Sequence, residues 1–179
     1  MFKMKPIVSI VGKTNSGKTT LIEKLILELK KRGYKVGVIK HTKHQFEIDH
    51  PGKDTWRMTK AGADTVVIAS DKKLAMILAT NNEPRTTDLD ELVEWLFPDV
   101  DIVITEGYKK QNKPKIEVTR SGELLCNTRY DNLLAVVFNP SRTTNYQTLI
   151  SGLNVPCFGF DEISAIVDFI VNKYGSRNL

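Results

Sequence analysis

An α/β fold with a mostly parallel sheet and helices on both faces is predicted by three features of this sequence. Short apolar runs alternate along the chain with stretches of helical periodicity, the order that builds parallel sheets. The first run, IVSIV at 7–11, leads through GKTNSGKT at 12–19 into a helical pattern, the strand–loop–helix context of a phosphate-binding loop. Two later runs, 65–69 and 74–79, are separated only by SDKK and read as an antiparallel hairpin excursion. Together these specify a three-layer P-loop NTPase fold. A length of 179 residues with no linker-like stretch suits one nucleotide-binding domain over 1–179.

The elements follow in order. IVSIV is apolar throughout, as a strand buried on both faces requires. Lys18 to Arg32 carries Leu21, Ile22, Leu25, Ile26 and Leu29 on one helical stripe. Lys30, Lys31 and Arg32 favour the negative end of that helix, and Gly33 stops it. Lys35 to Lys40 is a second strand, expected beside the first, and a short helix is expected over Asp54 to Ala61. Asp88 and Glu91 form a capping pair for a helix with Leu89, Leu92, Val93, Leu96 and Phe97 on its apolar face. DIVIT (101–105), KIEV (115–118), LLAVVF (133–138) and VPCFGF (155–160) are the remaining strands. Asp161 is expected to cap a closing helix through Ile163, Ile166, Val167, Ile170 and Val171.

Composition narrows the function. The chain is 41% apolar and 26% charged, with a net charge of +5. That mild excess suits an anionic small molecule or an acidic partner. No nucleic-acid-reading motif accompanies it, so no nucleic-acid partner is expected. No apolar run approaches the ~20 residues of a membrane span, so no membrane association is expected either. Cys126 and Cys157 stand far apart, which suits a reduced, cytoplasmic setting.

GKTNSGKT satisfies the pattern GxxxxGK[ST] in full. The candidate nucleotide-binding residues are therefore Gly12, Lys13, Thr14, Asn15, Ser16, Gly17, Lys18, Thr19 and Thr20. The glycines permit backbone geometry that a side chain would obstruct. Successive N–H groups then form an anion nest at the positive end of a helix. Lys18 reaches the β- and γ-phosphates, Thr19 is placed to ligand Mg²⁺, and Thr20 meets the α-phosphate. Lys13 resembles the signature lysine of dimeric P-loop ATPases; the alternative is an exposed lysine on a tolerant loop.

Magnesium on such a loop needs a carboxylate from a nearby strand end. Glu106, after Ile102 to Thr105 and before Gly107, is that candidate, both as metal-binding and as catalytic residue. Asp101 falls at the other end of the strand. The guanine-reading pattern [NT]KxD is absent; Asn112-Lys113-Pro114-Lys115 begins like it but has no aspartate.

A longer set of residues resembles the molybdopterin-guanine dinucleotide biosynthesis protein B (MobB) family. It includes the P-loop with its trailing TTL, Ile39-Lys40-His41, His44, IDHPGKDTWR, KAGA (60–63), VVIAS (66–70), TEGYK (105–109) and PKIEV (114–118). The KHxxH…DxPGKD…R…AGA block is the most specific part. The resemblance implies a GTP-binding P-loop protein, usually a homodimer, with weak Mg²⁺-dependent GTPase activity. It also implies assistance to MobA, the nucleotidyltransferase that joins GMP to molybdopterin. Two departures stand out. Lys43-His44 replaces a histidine pair, and VVFNPSR lacks the aspartate that often follows that strand.

All three histidines, His41, His44 and His50, lie in KHTKHQFEIDHPGKDTWR at 40–57. As a metal site the stretch is poor: H-x₂-H is shorter than helical zinc spacing and no cysteine is near. As a phosphate or switch loop it offers Lys40, His41, His44 and Asp54 toward nucleotide or molybdopterin. Asp49 or Asp54 is suited to magnesium or to positioning a water, and Asp49 is taken as a candidate metal and catalytic residue. As a solvated loop it needs no function. A P-loop small-molecule kinase is the alternative to an accessory GTPase, although Arg120, Arg129 and Arg142 are scattered rather than grouped in a lid. A nucleotide-gated metallochaperone or adaptor is the third reading.

Overall fold

The computed structural model describes residues 5–79, 88–120, 122, 124–125, 132–138 and 152–174. Cys126, Arg129, Arg142 and the NPSR stretch after Phe138 lie outside these residues. In chain order the described elements are β1 (Ile7–Gly12), α1 (Lys18–Lys31), β2 (Val36–Lys40), α2 (Asp54–Lys60), β3 (Thr65–Ala69), β4 (Leu74–Leu78), α3 (Leu89–Leu96), β5 (Ile102–Glu106), β6 (Lys115–Thr119), β7 (Leu133–Phe138), β8 (Cys157–Gly159) and α4 (Ile163–Tyr174). They form two compact units, one from the chain up to His41 and from Leu89 onward, the other from Thr42 to Asp88.

The larger unit is built on a six-stranded sheet in the order β2-β5-β1-β6-β7-β8, with every pair parallel. Alternation along each strand assigns the two faces. Val8, Ile10, Ile102, Ile104, Ile116 and Val118 pack in one apolar cluster with Leu21, Leu25 and Leu29 of α1 and Ile166, Val167 and Ile170 of α4. Ile7 and Val103 face the other way and pack with Leu89 and Val93 of α3. The sheet is therefore the middle of three layers, and β1 is buried along its whole length. On the same face as Ile7 and Val103, the buried Thr105 hydroxyl donates to Oγ of Ser9, its register partner, at 2.9 Å, which satisfies two polar groups that burial would otherwise penalise.

The expected adjacency of β2 and β1 is not found. β5 lies between them, paired with β2 on one side and β1 on the other. Burial explains the order. Ile102 to Thr105 are buried throughout, whereas β2 has exposed residues and an intermediate start. A strand apolar on both faces belongs inside a sheet; one broken by Gly37 and ended by a lysine suits an edge. The strand that brings a carboxylate next to the P-loop is thus the one bonded to β1.

Asp161 does not cap the final helix. Glu162 is the residue before α4, and its carboxylate accepts the Gly159 N–H. Asp161 instead pairs with Lys24 of α1 at 2.7 Å. Arg32 at the end of α1 reaches Ser164 Oγ at 2.8 Å and Asp168, so α1 and α4 are joined by polar bonds at their rim as well as by their apolar faces.

The smaller unit contains α2 and the hairpin β3–β4, in register with Val67 opposite Met76 and Thr65 opposite Leu78. The turn closes through Ser70 N–H to Lys73 O at 2.8 Å. Among its described residues only Val66 is buried. Val67, Ile68, Leu74 and Met76 are exposed on the hairpin, as are Phe46, Ile48 and Met58.

Candidate functional site

The parallel sheet presents the carboxyl ends of β1, β2, β5 and β6 along one edge, where α/β sheets bind ligands. A cleft of about 610 Å³ opens there, lined by Thr14, Asn15 and the Gly17–Thr20 stretch of the P-loop and by Lys40, Glu106 and Arg120.

The loop takes its shape from three residues with positive φ: Gly12 at 147°, Asn15 at 61° and Gly17 at 99°. Gly12 is pinned by its neighbours, since a Cβ there would lie 2.4 Å from the Val118 carbonyl oxygen. Gly17 is the N-cap of α1 and brings no side-chain cap. The first N–H groups of a helix have no intrahelical partner, so an anion is well placed to satisfy them. The Ser16 hydroxyl is buried without a hydrogen-bond partner, a second polar group that a phosphate oxygen fits. Lys13 is exposed. Its carbonyl accepts the Lys18 ammonium at 2.7 Å, which holds that side chain over the loop.

Charge in the cleft is unbalanced. Burial pulls the Lys18 ammonium below its ordinary pKa; Glu106 works against this, and Lys109 and Lys40 add to it. Two further ammonium groups thus act on Lys18 against one carboxylate. A polyanion relieves that repulsion.

Glu106 ends β5, and its Oε2 accepts the Thr19 hydroxyl at 3.1 Å. A hydroxyl and a carboxylate this close offer two hard oxygen donors to one small cation, the other positions being left to phosphates and water. That set fits Mg²⁺, which usually keeps several waters and needs only one or two carboxylates. Lys40 Nζ lies 3.6 Å from the same Oε2.

The remaining candidates fall into two places. His41 is in the larger unit; its N–H donates to the Glu106 carbonyl at 3.0 Å, and its ring stands 4.9 Å from that of Tyr108. Asp49, His44 and Asp54 belong to the smaller unit. The Asp49 carboxylate accepts the His50 N–H at 2.8 Å. The Thr55 hydroxyl first, and this N–H second, hold its carboxyl below the usual range. His44 N–H donates to Thr42 Oγ1 at 3.1 Å. Asp54 opens α2, where a negative charge suits the helix dipole. Among the described residues no three of His, Cys, Asp and Glu are grouped as a metal site.

Arg120 and Lys109 were not among the residues the sequence singled out for the site. Arg120 Nη1 donates to the Asn15 carbonyl at 3.3 Å and lines the cleft. It follows the last residue of β6 just as Glu106 stands at the end of β5. The common signal is a charged residue at the carboxyl end of a strand, which becomes useful once β6 is known to flank β1.

The profile of the molybdopterin guanine dinucleotide synthesis protein B family matches residues 7–139, from β1 to just beyond β7. The chain belongs to this family. The molybdopterin-guanine dinucleotide biosynthesis adapter protein of Escherichia coli is 37% identical over 176 residues, covering 98% of this chain and 97% of that protein. Its counterpart in Haemophilus influenzae is 36% identical, covering 93% and 88%. Among solved structures, Bacillus subtilis MobB superposes with a TM-score of 0.75 at 30% identity, covering 96% of this chain and 99% of that one. A crystal structure of molybdopterin-guanine biosynthesis protein B gives 0.73 at 36% identity, covering 93% and 99%. The MobB match spans every cleft residue described above. In addition, no described helix is long and apolar enough to cross a membrane.

Proposed function

We propose that this chain is a GTP-binding adapter of molybdopterin-guanine dinucleotide biosynthesis, acting in the cytoplasm beside a MobA-type guanylyltransferase. The observation that carries the reading is the complete P-loop with its Thr19 hydroxyl bonded to Glu106. Gly12 to Thr20 hold the triphosphate, Lys18 neutralises its β- and γ-groups, and Thr19 and Glu106 hold Mg²⁺, Glu106 through water. Membership of the MobB family supplies the pathway, and the names of the relatives supply the adapter role. The whole chain acts as one nucleotide-binding domain, with 42–88 as an insertion between β2 and α3. Asp49, His44 and Asp54 on that insertion, with Lys40 and His41 before it, form a loop that responds to nucleotide or meets molybdopterin. The apolar hairpin residues Val67, Leu74 and Met76 support a homodimer, because patches of this kind are usually covered. Hydrolysis is slow in this reading, and hand-off is the task.

The test is competition between GTP and ATP, with and without Mg²⁺. GTP is expected to bind more tightly, and Mg²⁺ to tighten it further. ATP preference, or phosphate transfer to an added alcohol, would replace the adapter with a P-loop kinase. Glu106→Gln keeps the size of the side chain and removes its charge. The variant should lose on the order of tenfold in Mg²⁺ affinity in the ternary complex, as outer-shell partners of metals commonly do. Binding that remains equally Mg²⁺-dependent removes Glu106 from the site.

A further inference from the structure

Glu106 Oε2 serves two partners in the free protein, the Thr19 hydroxyl at 3.1 Å and the Lys40 ammonium at 3.6 Å. Lys40 and Glu106 are register partners at the ends of β2 and β5, so their side chains leave the sheet edge together. The Lys40 side chain is 65% exposed and that of Glu106 16%. An ion pair open to water on one side is weak and readily exchanged.

A divalent cation on Thr19, held by Glu106 through water, gives the Glu106 carboxylate a partner that competes with Lys40. The displaced ammonium stays tethered to the end of β2, in a cleft already holding Lys18 and influenced by Lys109. Its next partner has to be an anion. The direction of the bound chain of phosphates identifies which one. The nest and the N-terminus of α1 would hold the middle phosphate, which would leave the terminal one toward Thr19 and Glu106. Lys40 approaches from the β5 side, where Glu106 stands, while Arg120 occupies the β6 side. The terminal phosphate is therefore its neighbour.

We propose that Lys40 is a counter-ion held by Glu106 in the free protein and passed to the terminal phosphate of a magnesium–nucleoside triphosphate. It thereby sets the preference for triphosphate over diphosphate. The inference rests on the reading of this cleft as a Mg²⁺–nucleotide site and is independent of the base.

The test is titration of the full chain, in Mg²⁺, with a non-hydrolysable guanosine triphosphate analogue and with GDP. The same pair of adenosine nucleotides serves if the wild type prefers adenine. Wild type should favour the triphosphate. Lys40→Met, which keeps the stem and removes the charge, should weaken the triphosphate about tenfold and the diphosphate by less than about twofold. Lys40→Arg should restore most of the preference. Equal losses for both nucleotides mean that Lys40 contributes only general positive potential, and no loss means that it does not reach the phosphates; either overturns the proposal while leaving the nucleotide site intact. A wild type that binds neither nucleotide overturns the nucleotide reading itself, and this proposal with it. Thermal melting of both variants separates these outcomes from misfolding, which is not expected at so exposed a side chain.

Discussion

Lys18→Ala is expected to weaken triphosphate binding by about 100-fold or more, with a melting temperature close to that of the wild type. The loss follows from two effects. Charge-assisted hydrogen bonds to phosphate are stronger than neutral ones, and in the proposed complex Lys18 meets two phosphates, so roughly two such bonds would disappear together. The second effect is specific to this cleft. Burial lowers the pKa of the Lys18 ammonium, and Lys109 and Lys40 oppose its charge further, so a bound polyanion offsets what the free cleft makes unfavourable. Stability should change little for the same reason. The ammonium is held in the free protein by the Lys13 carbonyl, and its removal relieves a desolvated charge without touching the α1 stripe of Leu21, Leu25 and Leu29. Calorimetric titration with GTP and a thermal melt make the comparison. Unchanged affinity in a folded variant would dissolve the assignment of GKTNSGKT as the nucleotide site.

The parts of this site that were legible in the sequence are the contiguous ones. Eight residues of P-loop fix both the loop and the start of the helix behind it, because glycine and lysine spacing encodes local backbone geometry. Glu106 was legible for a related reason: an apolar run of known length ends on it, and strand ends are where chemistry collects in α/β sheets. Arg120 required something more. Its approach to Asn15 depends on β6 being the neighbour of β1, and strand order is a tertiary property that periodicity does not carry. The same gap misplaced β2. Both DIVIT and KVGVIK read as strands, but only packing on two faces makes the first central and the second an edge. In the smaller unit the sequence located α2 and the hairpin well, since turn residues and alternation are local. It did not foretell that Val66 alone, among the described residues, would be buried there, because exposure depends on what covers a face. Asp161 shows the limit of capping rules: a better-placed partner, Lys24, takes the carboxylate, and the helix begins after Glu162.

Gly12→Ala separates two costs that glycine replacements usually mix. Gly12 and Gly52 both have positive φ, 147° and 87°. An added methyl group at Gly52 meets nothing within 4 Å, whereas at Gly12 it lies 2.4 Å from the Val118 carbonyl oxygen and 2.8 Å from Ser16 Oγ. Gly52→Ala therefore bears the backbone strain alone, about 1 kcal/mol. Gly12→Ala bears a similar strain and a collision with backbone that cannot rotate away. Gly12 and Val118 are partners in the β1–β6 ladder, so relief requires the strands to part at the mouth of the cleft. A total cost of about 3 kcal/mol is expected, in the range of the more damaging single substitutions. For a protein of this size that lowers the melting temperature by roughly 6–12 °C, against about 2–4 °C for Gly52→Ala. Triphosphate affinity should fall in Gly12→Ala even below the melting transition, because the N–H groups of the nest turn with the loop, and should persist in Gly52→Ala. Similar melting temperatures for the two variants would mean that Gly12 does not stand against β6 in solution. The close contact that aims the P-loop at its ligand would then have to be sought elsewhere.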